Sequence, residues 1–152
     1  MTDLRVYLTG ERLDLPALNK ALPDTETVGA VASFTGHVRG SDGLTALELT
    51  HHPAMTEPAL RRIGEIALKR FALQALLIAH RHGRMAPGEP IVHIIAQAPQ
   101  RRAALDAVAY TIDVLKTEAP FWKREWRSDN AIWIEPTITD QVEASQWLET
   151  ET

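Results

Sequence analysis

The sequence contains no cysteine among its 152 residues. This absence excludes disulfides, thiolate metal sites and a cysteine nucleophile on this chain, and it suits a reducing compartment. Long apolar runs are also missing, since a run such as 75–79 is far too short to span a bilayer. The first residues, MTDLRVYLTG, lack the basic start and apolar stretch of a signal peptide. We therefore predict a cytoplasmic protein that does not enter membranes.

Positive charge is not in excess either. The chain has 16 basic and 20 acidic residues, and five of the acids lie at or after Glu135, where there is no lysine or arginine. The remaining body is close to neutral, which argues against a nucleic-acid-binding protein. The length suits one domain. We predict a single domain over residues 1–152, with an acidic C-terminal tail at 136–152 and room for one local anion site.

Alternating and helical hydrophobic patterns predict a mixed order of elements. A turn signal at 41–43 predicts that the strands on either side of it form a hairpin. The order of hairpin, helix, two strands, helix and hairpin favours an α+β fold with a mostly antiparallel sheet. The predicted strands are 4–8, 28–38, 44–51, 74–82, 91–98, 121–126 and 131–134. Helices are predicted at 15–22, after Thr56 as the N-cap, between Pro99 and Pro120, and at 142–148. Residues 83–90 are predicted to form a loop.

The helix that ends at Pro120 carries the first candidate for chemistry. A step of about 100° per residue places Arg101 in one apolar stripe, with Lys116 at its edge. Lys116 could extend along the surface and favour the negative end of the helix dipole. It could instead be partly desolvated at a pocket wall, where a lysine binds anions and has a lowered pKa. The other predicted members of the stripe are Leu105, Val108, Ile112 and Leu115.

A second lysine follows the proline. Strand alternation directs Lys123 and Arg124 to opposite faces, between Trp122 and Trp126. An edge strand with solvated charges would explain the same pattern. Upstream, Arg39 lies between two glycines, which suits an anion site as well as an ordinary turn. The P-loop spacing of lysine and hydroxyl residues is missing.

Histidines give a weaker signal. His80 and His82 share a predicted strand face, and His93 lies on a neighbouring predicted strand. A metal site needs three or four converging ligands, and no His-Glu-x-x-His pattern is present. We predict no metal and no cofactor.

Together these segments resemble the large, catalytic subunit of molybdopterin synthase, the MoaE family. The resemblance rests on GAVASFTGHVRG, LELTHHPAMTE, HRHGRMAPGE and, above all, IDVLKTEAPFWKRE, and it extends from about Val28 to Glu135. It implies an α/β hammerhead-like domain with an added β-hairpin subdomain. It also implies sulfur transfer to cyclic pyranopterin monophosphate (precursor Z), which forms the dithiolene of molybdopterin. The sulfur comes from the C-terminal Gly-Gly thiocarboxylate of a small MoaD-like subunit, in a heterotetramer built on a homodimer of large subunits.

The resemblance also implies site residues. Lys116 and Lys123 match the two catalytic pocket lysines. Gln100 takes the place of a histidine that usually precedes the arginine matched by Arg101. The remaining substrate-binding positions are His37, Val38, Arg39, Arg124 and Glu125.

The composition agrees with that activity. A sulfur transferase without cysteine must take its sulfur from another molecule, and two anionic reactants need nearby cations. Arg101 and Lys116 are fifteen residues apart on one helix, which is about 22 Å. If both line one site, Arg101 must come from a second copy of the chain.

Two other functions are also considered. One is a non-catalytic anion-binding or assembly module, which Gln100 favours, and the other is a histidine-based metal hydrolase.

Overall fold

A computed structural model describes residues 2–135 and 138–148. None of the helices in these ranges is both long and apolar enough to cross a lipid bilayer. In chain order the elements are β1 Asp3–Thr9, α1 Leu15–Asn19, β2 Ala30–His37, β3 Ala46–His51, α2 Thr56–Arg70, β4 Ala75–Arg81, β5 Gly83–Met85, β6 Pro90–Ala98, α3 Arg101–Glu118, β7 Phe121–Arg127, β8 Asn130–Ile134 and α4 Ile138–Ser145.

The first sheet has the strand order β1-β4-β6-β2, and only the β1–β4 pair is parallel. β4 and β6 are almost continuously apolar because both of their faces are covered. α2 and α3 pack on one face, where fully buried residues such as Leu60, Ile78 and Ile94 form the main core. The segment around α1 covers the other face, against Leu77 and Ile95.

The second sheet has the order β5-β3-β7-β8 and is antiparallel throughout. Its apolar side includes Leu47, Leu49 and Met85, which form a smaller core with Val38. The predicted α+β class and mostly antiparallel sheets are therefore confirmed, and β7 and β8 form the predicted C-terminal hairpin.

The predicted hairpin between residues 28–38 and 44–51 is wrong. A turn does occur at this point, since the Leu44 amide donates to the Ser41 carbonyl at 2.9 Å. However, β2 belongs to the first sheet and β3 to the second. The intervening chain crosses between the sheets, where the Val38 amide bonds to the Glu89 carbonyl at 2.8 Å. A local turn signal does not reveal which strand a distant segment will pair with.

The helices and the short loop differ from prediction in detail. α1 stops at Asn19, α4 starts at residue 138, and the predicted loop at 83–90 contains the short strand β5. Thr56 is the first helical residue rather than the N-cap, which is Met55. Its hydroxyl donates back to the His52 carbonyl at 3.0 Å, so it still stabilises the start of the helix.

On α3, Val108 and Leu115 are buried as predicted, but Leu105 is 49% exposed. The buried face instead includes Ala104, Ala107, Thr111 and Val114. Small alanines allow the helix to approach the sheet closely, and this shifts the buried face away from the stripe of large side chains.

Candidate active site at the end of the long helix

A pocket of about 120 Å³ lies where the last turn of α3 meets the second sheet. α3 ends because Pro120 cannot continue the helical hydrogen bonds, and the chain turns directly into β7. This turn brings Lys116 and Lys123 to the same pocket. The described lining also contains His80, Glu135 and Asp140, over an apolar wall of Leu47, Leu49, Ile91, Val92, Ile112, Leu115, Ala119, Phe121 and Ile134.

The two lysines influence each other. Lys116 is exposed as a whole residue, yet desolvation by the surrounding protein lowers the pKa of its amine. The positive charge of Lys123 lowers that pKa further, whereas Asp140 acts in the opposite direction. Of the two interpretations made from the sequence, this position fits the partly desolvated lysine at a pocket wall. An anionic ligand between the two amines would relieve their repulsion.

Strand alternation separates Lys123 from Arg124, as predicted. Lys123 pairs with Leu49 and Ile134, which line the pocket. Arg124 pairs with Glu48 on the opposite face and donates to its carboxylate from Nη2 at 2.8 Å and from Nε at 3.2 Å. Trp126 Nε1 donates to the same oxygen at 2.8 Å. These bonds hold β7, and therefore Lys123, against β3.

Removing this shared acceptor should loosen the second sheet. We expect Glu48→Ala to lower the free energy of unfolding by about 2 kcal/mol, because it leaves the half-buried donors of Arg124 and Trp126 without a partner. Glu57→Ala is the matched control, since Glu57 forms an exposed pair with Arg61 at 3.4 Å and should cost less than about 0.5 kcal/mol. Urea denaturation of both variants measures the difference, and equal losses would contradict a special role for Glu48.

The FTGHVRG segment does not reach this pocket within one chain. His37 is exposed and its Nδ1 donates to the Gly88 carbonyl at 3.1 Å. Val38 is buried in the small core, at 2% exposure. Arg39 is exposed and is not part of the described pocket lining. A substrate-binding role for these three residues stays a prediction.

Gln100 and Arg101 lie at the other end of α3. Gln100 is the N-cap without a side-chain capping bond, and Arg101 is the first helical residue; both are exposed. Glu125 lies on the same side of β7 as Lys123 but is not part of the described pocket lining. Its carboxylate accepts a hydrogen bond from Nη1 of Arg127 at 3.0 Å. Substrate binding by these residues and by Arg124 also stays a prediction, and for Arg101 it requires a second copy of the chain.

Sequence reasoning did not assign His80, Glu135 or Asp140 to the site. The sequence presents the histidines only as candidate metal ligands and the two acids only as members of the acidic stretch that begins at Glu135. His80 and His93 lie on opposite faces of the first sheet, since His93 bonds to Asn19 on the α1 side at 2.8 Å. Within residues 2–135 and 138–148, no group of three or more histidines and carboxylates is arranged to hold a metal ion.

His80 also predicts a dependence of stability on pH. Burial lowers its pKa from 6.5 to about 4, and the pKa values of His82 and His93 are lowered in the same direction. Between pH 6.5 and 4 the unfolded chain therefore binds protons that the folded chain does not, so stability falls as the pH falls. We expect His80 alone to account for up to about 3 kcal/mol.

Chemical denaturation at a series of pH values measures this effect. The loss should be smaller in His80→Gln, which cannot titrate in this range. A wild-type stability that is constant from pH 7 to 4.5 would contradict the prediction.

Several known proteins are similar to this chain in sequence and fold. The MoaE protein family matches residues 8–118. The chain belongs to the MoaE family. It is 43% identical over 137 residues to the molybdopterin synthase catalytic subunit of Mesorhizobium japonicum, covering 88% of this chain and 84% of that protein.

Solved MoaE-type structures agree with the architecture. The molybdopterin biosynthesis MoaE protein of Burkholderia ambifaria superposes with a TM-score of 0.79 at 37% identity, covering 97% of this chain and 98% of that one. The crystal structure of molybdopterin synthase from Staphylococcus aureus gives a TM-score of 0.77 at 28% identity, over 89% and 98% of the two chains. The expected MoaE-type fold is confirmed.

Proposed function

We propose that this chain is the catalytic subunit of a molybdopterin synthase, a sulfurtransferase of molybdenum cofactor biosynthesis. It transfers sulfur from the C-terminal thiocarboxylate of a small ubiquitin-like subunit to cyclic pyranopterin monophosphate and so forms the dithiolene. The observation that carries the proposal is the meeting of Lys116 and Lys123 in one pocket, in a chain that belongs to the MoaE family. We place the reaction in the cytoplasm.

The charges of the pocket suit this reaction. The thiocarboxylate and the cyclic phosphate are both anions, so their approach is costly unless cations lie between or beside them. Lys116, with its lowered pKa, is placed to stabilise charge that develops during attack or to move a proton. Lys123 holds the carboxyl end of the small subunit's tail. Because the chain has no cysteine, a sulfur donor on a partner also fits the composition.

The size of the pocket supports assembly with other chains. Its volume of about 120 Å³ is below the roughly 300–1,000 Å³ of most small-molecule sites. A Gly-Gly tail is narrow enough for such a pocket, whereas a pterin can place only one edge against its wall and needs further walls for the rest. The relative from Mesorhizobium japonicum is named as a catalytic subunit, which agrees with a complex of two kinds of chain. We propose the heterotetramer built on a homodimer.

Dithiolene formation from the purified components tests the function. The chain is mixed with precursor and with a small subunit that carries a C-terminal thiocarboxylate, and molybdopterin is measured after oxidation to a fluorescent product. The matched control is the same small subunit with an ordinary carboxylate, which has no sulfur to give. Product only with the thiocarboxylate supports the proposal. A folded chain that binds the small subunit but forms no product would favour the alternative of a non-catalytic anion-binding module.

A further inference from the structure

One polar residue in the described lining of the pocket is neither a lysine nor a carboxylate. His80 lies in the buried strand β4 and is only 4% exposed, yet its ring forms part of the pocket wall. The ring stacks on Phe121, with centroids 4.0 Å apart and planes inclined by 15°. This stacking and the close packing of the strand fix the orientation of the imidazole before any ligand arrives.

The hydrogen bond of His80 determines its tautomer. Nδ1 lies 2.7 Å from the carbonyl oxygen of Arg81. A carbonyl oxygen can only accept, so Nδ1 must carry the proton and donate it. Nε2 has no hydrogen-bond partner among the residues that the structure describes. In the neutral ring Nε2 is therefore an unoccupied acceptor.

Burial keeps the ring neutral. It lowers the pKa of His80 to about 4, and the charges of Lys116, His82 and His51 act in the same direction. Protonation would place another cation close to Lys116, which is unfavourable. At neutral pH the lysines and His80 therefore have distinct roles in the pocket, beside the carboxylates of Glu135 and Asp140. The lysines donate to anions, while His80 offers a lone pair without a charge.

We propose that His80 binds the substrate of this pocket, with Nε2 accepting a hydrogen bond from an uncharged N–H or O–H group of the pterin. The assignment rests on the proposed function, because it takes the reduced pterin as the ligand. Such a ring system carries several N–H donors, which the lysines cannot satisfy because ammonium groups only donate. The carboxylate of Asp140 is attracted to Lys116, and the imidazole of His80 is the uncharged side-chain acceptor in the described pocket lining.

Two substitutions separate this role from a purely structural one. His80→Asn keeps a donor near the Nδ1 position for the Arg81 carbonyl but loses the acceptor at the Nε2 position. His80→Gln places an amide oxygen near the Nε2 position but gives up the bond to Arg81. We expect His80→Asn to raise the KM for precursor about tenfold with kcat changed by less than about threefold. His80→Gln should keep KM within about threefold of wild type.

Steady-state kinetics at saturating thiocarboxylated small subunit measure both constants, and thermal unfolding shows whether each variant is folded. His82→Asn is the matched control, because His82 follows the same strand but lies outside the described pocket lining; its KM should stay at the wild-type value. The inference is overturned if His80→Asn keeps the wild-type KM, or if both His80 variants lose activity equally. A wild-type protein that forms no dithiolene overturns the proposed function instead, so the two failures are distinguishable.

Discussion

Lys116→Ala should reduce the rate of dithiolene formation by at least about 100-fold while the small subunit still binds. Removing one preorganised group that stabilises developing charge costs an enzyme roughly that much. Lys116 lines the pocket, and desolvation and the charge of Lys123 lower its pKa, which agrees with the proposed contact with the reacting atoms. The substitution removes one side chain of the pocket, so we expect the small subunit to bind as before. Single-turnover assays measure the rate, and titration of the small subunit measures binding.

The chain offers a close control for this prediction. Lys69 also lies in the last turn of a long helix, α2, and is exposed. It shares the favourable interaction with the helix dipole but lies outside the described pocket lining. Lys69→Ala should therefore leave turnover unchanged. Near-normal turnover in Lys116→Ala would rule out the catalytic role, and a similar loss in both variants would indicate a general effect of surface charge.

The sequence was sufficient for the local parts of the fold. Periodicity and the breaking effect of Pro120 located α3, and alternation correctly placed Lys123 and Arg124 on opposite faces of β7. The sequence did not predict the partner of β3. This strand pairs with β7, about seventy-five residues later in the chain, and not with β2. Strand partners are chosen by side-chain packing across the whole domain, and no signal within a short window contains that information.

Some residues of the candidate site were predicted from the sequence and others were not. Resemblance to a family identified Lys116 and Lys123, and the structure places both in one pocket. His80 was missed because its role depends on stacking with Phe121, forty-one residues later in the chain. Helical spacing predicts that Leu105 belongs to the buried apolar stripe of α3, yet it is exposed in the single chain. Exposed apolar residues of this kind can be explained by a partner that covers them.

The position of Arg101 leads to the second large prediction. Arg101 starts α3 and Lys116 is in its last turn, so about 22 Å of helix separates them. A single small substrate cannot contact both in one chain. Near Arg101 the apolar side chain of Leu105 is exposed, and α3 packs against β2, an edge strand of the first sheet that exposes Val31. An edge strand with exposed apolar residues suits contact with a second copy.

We therefore expect a mixed dimer of Lys116→Ala and Arg101→Ala chains to recover activity that neither variant has alone. In each mixed dimer one of the two sites contains both residues, so the purified mixed dimer should reach about half of wild-type activity. Chains with different affinity tags, coexpressed and purified in sequence, provide the mixed dimer. Lys116→Ala mixed with Lys123→Ala is the matched control and should stay inactive, because both lysines belong to the same pocket of one chain. Absence of recovery in the first mixture, or full activity of Arg101→Ala alone, would contradict a site shared between two copies.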